Sequence, residues 1–179
     1  MIWFTADEHY GHENIIEYCN RPFENVDEMD SELIRRHNEV VKEMDLVYHL
    51  GDFSLIPSKS TVAGFASQLN GEHVFIRGSH DRWMDDGPEE YFPEILELSK
   101  KQAGHPITLC HYAMKVWPRS HYNSWQLFGH SHGRLPVEGK QYDVGVDNND
   151  FYPISLEQIK VVMNQQPDNF NCLSNFRGQ

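Results

Sequence analysis

Ile76-Arg77-Gly78-Ser79-His80-Asp81-Arg82 carries the strongest structural signal in this chain. An apolar run ends in glycine, and a hydroxyl, an imidazole and a carboxylate follow in order, so a buried strand delivers several polar groups to one loop. Ligand sites of α/β proteins form at such places, beyond the carboxyl ends of the strands. Outward from here the same event recurs. Ile2 to Ala6 is apolar and runs into Asp7-Glu8-His9, and Asp45 to Leu50 stops at Gly51-Asp52. Pro106 to Tyr112 carries His111, and Gln126 to Gly129 delivers His130-Ser131-His132. Residues two apart on an extended segment share a face, which predicts that Asp7 converges with His9, and His130 with His132, while Glu8 faces elsewhere.

Between these runs the spacing is helical. Met29, Leu33, His37 and Val40 to Val41 predict a helix over 27–41 with Asp27 as its N-cap, and Ser58 or Ser60 opens another that ends near Leu69. Shorter helical patterns cover 14–19 and 155–163. The first half thus reads βαβαβ, which implies parallel strands whose carboxyl ends gather on one edge. After Asp81 the pattern changes: strands at 95–100 and 106–112 bracket a hairpin-like turn at 101–104, and short strands follow at 126–129 and 142–146. The fold class is α/β. Residues 1–164 form one domain, and the Asn-, Gln- and Asp-rich 165–179 reads as a loosely packed polar tail.

Composition narrows the function. With 179 residues, 39% hydrophobic and 23% charged, the chain can bury a core without staples. Its net charge of −12 argues against binding duplex nucleic acid, which rests on many cation–phosphate contacts. A small substrate suits it better. Cys19, Cys110 and Cys172 are odd in number and unpaired in spacing, and there is neither a signal-peptide core nor a membrane-length apolar run. Those features predict a reduced, cytoplasmic protein.

The strand-end residues Asp7, His9, Asp52, Ser79, His80, Asp81, His111, His130 and His132 make up the side-chain set of a two-metal site. Carboxylate oxygen and neutral imidazole suit manganese first, then iron or zinc, and the absence of cysteine argues against a structural thiolate zinc. Taken singly, each acid reads equally well as a cap or turn residue, and each histidine as a surface or core residue; five elements in this order read otherwise. His37, His49, His73 and His105 fit no motif and read as structural or surface residues.

The order Asp7-x-His9, Gly51-Asp52, Gly78-x-His80-Asp81, His111 and Gly129-His130-x-His132 resembles the calcineurin-like metallophosphoesterase superfamily. Asp143-Val144-Gly145-Val146-Asp147, followed by Pro153-Ile154-Ser155-Leu156, is similar to the ending of its small bacterial and phage members. The resemblance implies a two-sheet β-sandwich flanked by helices, the αββα architecture. It implies two divalent ions, one held by Asp7, His9 and His132, the other by His111, His130 and residue 79, with Asp52 between them. It further implies hydrolysis of a phosphomonoester or phosphodiester by a hydroxide shared between the metals, with His80 as the acid over the leaving group and Asp81 orienting it. Ser79 departs from the pattern, which has Asn there, so a weakened metal position or a non-catalytic scaffold of the same fold is the alternative, with a protein phosphatase as another.

For substrate, His12, Arg77, Arg82 and Arg119 flank the motifs and can meet phosphate oxygens, as can Lys115, His121 and Arg134, although each also reads as solvated surface charge. His12 reads equally as a helix N-terminal residue. Trp83, Trp117, Tyr122 and Trp125 read as core or as base-stacking groups, and residues 112–125 as a substrate-shaping loop.

Overall fold

The computed structural model describes residues 1–86, 91–136 and 138–173. Two four-stranded mixed sheets pack face to face with helices outside them. The first sheet holds β1 (Ile2–Thr5), β2 (Leu46–His49), β3 (Glu72–Phe75) and β8 (Ile154–Ser155), in the order β3-β2-β1-β8. β1, β2 and β3 are parallel and β8 is antiparallel to β1, as the βαβαβ reading requires for the first three. The second sheet holds β4 (Ile95–Leu98), β5 (Ile107–Cys110), β6 (Trp125–Phe128) and β7 (Gln141–Asp143), in that order. β4 and β5 are antiparallel, whereas β5, β6 and β7 are parallel.

Strand alternation sorts the side chains. Phe4 and Tyr48 point between the sheets, where Leu50, Ile76, Leu98, Ile107, Leu109 and Leu127 complete the main core. Trp3 and Val47 point the other way, onto Val41. Outside the first sheet, α1 (Asn14–Tyr18), α2 (Val26–Val40) and α3 (Lys59–Ala66) bury Ile15, Met29, Leu33 and Val62 in one cluster with Phe53 and Trp83. α5 (Leu156–Gln165) closes the opposite end with Ile159 and Met163. Its N-cap Ser155 and Gln158 form a reciprocal capping box.

Several expectations are corrected. α2 is capped by Asn25, whose side chain accepts the Glu28 amide at 2.9 Å, and Asp27 lies inside the first turn. The hairpin-like turn is a one-turn helix, α4 (Lys100–Ala103), because Ser99 and Gln102 form a capping box and Gly104 takes a left-handed φ of 77°. The polar tail is packed where it is described. Asn169 is buried and donates to the Ser120 and Ser124 carbonyls at 2.9 and 3.0 Å; residues 174–179 lie outside the described residues. Among the described residues Cys19 and Cys110 are free, and no helix is long and apolar enough to cross a membrane.

Candidate metal centre

Five parallel strands end at one edge of the sandwich, and each exit supplies part of the site. β1 leads to Asp7 and His9, β2 to Asp52, β3 to Ser79 and His80, β5 to His111, and β6 to His130 and His132. Asp7 and His9 do not converge through the pleat. β1 stops at Thr5, and both residues adopt left-handed backbone, with φ of 59° and 56°. Asp52, His130 and His132 do the same, at 56°, 67° and 48°. Such backbone costs about 1–3 kcal/mol per residue and concentrates at functional sites, where surrounding contacts hold it.

Two ligand-like groups result: Asp7, His9 and His132 bring donor atoms within 4.8 Å of one another, and so do Asp52, His111 and His130. They meet at Asp52. Its Oδ2 lies 3.3 Å from His111 Nε2, 3.7 Å from His9 Nε2 and 4.0 Å from His80 Nε2. The Nε2 atoms of His9 and His111 are buried without a hydrogen-bond partner. The other nitrogen of each ring is engaged: His111 Nδ1 faces the Leu50 carbonyl at 2.9 Å, and His9 Nδ1 faces His12 Nδ1 at 3.1 Å. A carbonyl partner makes His111 Nδ1 the protonated nitrogen, so Nε2 presents a lone pair to the site.

The electrostatics fit a cation. Burial, then the Asp143 and Asp52 carboxylates, push Asp7 well above the usual carboxylate range. Burial pushes His9 down to about 3, which keeps the imidazole neutral and able to ligate. For Asp52 burial works upward, but His111, the His80 amide and His9 outweigh it and hold the carboxyl low. His111 is correspondingly raised: burial opposes its charge, and Asp52 more than offsets that. These donors, buried and partly unpartnered, suit a divalent metal.

Ser79 and His80 are exposed. Ser79 Oγ lies 3.0 and 3.3 Å from the Asp52 oxygens, so the hydroxyl is spent on the carboxylate. The His80 amide donates to Asp52 Oδ1 at 2.8 Å, and its side chain, 47% exposed, stands 5.5 Å from His9 between ring centroids. Asp81 departs from the orienting role expected of it. Its carboxylate accepts the amides of Asp52, Phe53 and Gly78 at 2.8–2.9 Å and Trp83 Nε1 at 2.9 Å. It therefore clamps the Gly51-Asp52 loop to the Gly78 loop. Glycine is required where the loops touch, since a Cβ on Gly78 would lie 2.2 Å from the Asp52 nitrogen.

The flanking residues divide. His12 joins the site, its ring 6.4 Å from His80. Arg77 is held bidentately by Asp85 at 2.9 and 2.5 Å. Arg82 is exposed in a 3-10 turn, and Arg119 precedes a 3-10 turn at Ser120–Tyr122 that packs on the C-terminal segment. Lys115 pairs with Glu138 at 2.6 Å, and Arg134 reaches the Tyr18 carbonyl. Trp83, Trp117 and Trp125 are buried, which leaves Tyr122 as the exposed member of that aromatic set. Behind the site, His49 bridges Glu8 at 2.7 Å and His73 at 2.9 Å, with the His37 ring stacked on it.

Arg21 and Asp147 carry roles that the sequence motifs do not reveal. The buried Arg21 guanidinium donates to the carbonyls of Asp7 at 2.7 Å and Glu8 at 2.9 Å, and grips both oxygens of Asp147 at 2.8 Å. Asp147 in turn holds His132 Nδ1 at 2.7 Å. One cation thus fixes the strained Asp7–His9 turn and, through Asp147, the His132 ring. Outer-shell partners of this kind are worth about 10–100-fold in metal affinity. Arg21→Met is accordingly expected to weaken Mn²⁺ binding at the Asp7–His9–His132 group by that factor, read by calorimetric titration. An unchanged isotherm in a folded variant would remove Arg21 from the site.

The fold and this site define an αββα protein with two adjoining histidine–aspartate groups able to chelate divalent ions. The chain is 36% identical over 166 residues, 88% of each chain, to the uncharacterized protein MJ1445 of Methanocaldococcus jannaschii, and it belongs to that protein's family. The gene 66 protein of Mycobacterium phage L5 is 36% identical over 81 residues, 44% of this chain and 39% of its own length. A solved structure, the protein of unknown function AQ665 from Aquifex aeolicus, is 25% identical and superposes with a TM-score of 0.67 over 90% of this chain and 98% of its own. No family model matches the chain.

Proposed function

We propose that this chain binds two divalent metal ions side by side and, with them, hydrolyses a phosphate ester of a nucleotide or small metabolite. The observation that supports this most is the meeting of both ligand groups at Asp52 Oδ2, with two buried imidazole nitrogens left unpartnered around it. Asp7, His9 and His132 would hold one ion, His111 and His130 the other, with Asp52 between them and Ser79 beside it. When bound, such ions lower the pKa of a water and neutralise phosphoryl charge. His80 is free to hold a proton for the departing oxygen, being exposed and in neither ligand group. Asp81 keeps the two loops in register, and His12 borders the side on which His80 stands.

A second reading, a metal-binding scaffold with little or no turnover, is favoured by Ser79. Its hydroxyl donates to Asp52 and offers no carbonyl oxygen, which leaves the second group a ligand short of the resembled pattern. Both readings share metal binding and part over turnover. Chelator-treated protein titrated with Mn²⁺, then assayed on p-nitrophenyl phosphate, bis-p-nitrophenyl phosphate, nucleotides and a phosphopeptide, separates them. Hydrolysis restored by Mn²⁺ on the small esters supports the first reading, and binding without turnover of any ester supports the scaffold. Absence of binding sinks both. Ser79→Asn is expected to raise second-ion occupancy and turnover together at limiting Mn²⁺, measured by metal content and rate. Equal values in the two proteins would clear Ser79 of any effect.

A further inference from the structure

A cavity of about 310 Å³ adjoins the second ligand group. It lies between the β3 exit and the β4–β5 pair, lined by Arg77, Gly78, Glu94, Ile95, Tyr112 and Met114, among others. It shares a wall with the site: Gly78 precedes Ser79, and the Tyr112 ring lies 4.9 Å from both His111 and His130. Hydrogen bonds brace both sides, from the Arg77 amide to the Pro93 carbonyl at 2.9 Å and from the Met114 amide to Gln126 Oε1 at 3.0 Å. A cavity braced in this way is available before any ligand arrives.

Its chemistry is selective. Ile95 and Tyr112 are 50% and 48% exposed here, so apolar surface faces water at the rim of a polar site. Met114 adds a thioether, which adapts to an aromatic ring and contacts it favourably. The one guanidinium, Arg77, is already neutralised by Asp85, and Glu94 leaves the rim negative. A second phosphate or carboxylate would be repelled there, whereas a flat uncharged ring would cover Tyr112 and Ile95.

We infer that this cavity is a substrate subsite for an uncharged aromatic group, a nucleobase or an aryl ring, carried by the phosphate ester. The subsite rests on the hydrolysis proposed above and narrows its substrate class. It admits ring-bearing monoesters and disfavours sugar bisphosphates, whose second phosphate would have to enter it.

The test uses Mn²⁺-loaded protein and two pairs of esters, each with a matched primary alkoxide leaving group. 2-Phenylethyl phosphate against ethyl phosphate reads the aryl case, and adenosine 5′-monophosphate against ribose 5-phosphate reads the nucleobase case. The ring-bearing member of at least one pair is expected to show kcat/KM higher by about tenfold or more, the scale of a filled apolar pocket. Tyr112→Ala and, at the exposed edge, Ile95→Lys should bring that ratio towards one. Phenylphosphonate against methylphosphonate, titrated calorimetrically, reads the same preference without turnover. Turnover with ratios near one in both pairs overturns the subsite and leaves the hydrolysis standing. If no ester turns over, the hydrolysis fails, and the phosphonate pair alone decides the subsite.

Discussion

Asp52→Ala is expected to cost the protein its second ion, loosen the first, and lower phosphoesterase turnover by about a thousandfold or more, beyond the loss of a single stabilising donor. The carboxylate is where the imidazoles of both ligand groups come together, and without it the buried Nε2 atoms of His111 and His9 lose the oxygen now 3.3 and 3.7 Å away. Its Oδ1 also accepts the part-buried His80 amide, so the loop carrying His80 loses an anchor. Asp52→Asn separates the two losses, since the amide oxygen can still accept from His80 while the charge is gone. Manganese per chain after gel filtration, the rate on p-nitrophenyl phosphate and the thermal midpoint check all three. An Asp52→Ala protein that keeps two ions and normal rate would overturn the placing of both.

His80→Ala is expected to behave oppositely: full metal content with turnover reduced by about 10²–10⁴, the range of general acid catalysis. The side chain belongs to neither ligand group and is half exposed, while the interaction that braces Asp52 comes from the backbone amide and survives the substitution. The loss should depend on the leaving group. p-Nitrophenolate departs with little need of a proton and an alkoxide departs poorly without one, so the alkyl ester should suffer more. An equal loss on both esters would assign His80 to substrate binding, and no loss on either would remove it from the reaction.

Much of the molecule was legible from local patterns. Seven of the eight described strands and the main helices follow from hydrophobic periodicity, because burial on one face imposes its period on the sequence, whereas the two-residue β8 is too short to show one. The strand-end acids and histidines stood out for a similar reason, each ending an apolar run. Backbone conformation was less legible. Asp7 and His9 share a direction, but through left-handed residues held by long-range hydrogen bonds such as that from the Asp7 amide to the Gly51 carbonyl, not through an extended pleat. Asp81, adjacent to His80 in sequence, spends its carboxylate on amides about thirty positions earlier, and proximity in the chain could not reveal that.

The sequence by itself therefore determined the α/β class, the parallel order of β1 to β3 and the inventory of candidate ligands, since each depends on residues a few positions apart. Only the tertiary structure decided how those residues are used. It joined Arg21 to Asp147 across 126 positions and tied His132 to the Asp7–His9 turn through them. It buried His49 with Glu8 behind the site, turned Arg77 aside to Asp85, and opened a cavity between Gly78 and Tyr112. Hydrogen bonds and ion pairs are directional and short-ranged in space but indifferent to separation along the chain. Their partners become visible once the two sheets have been brought together.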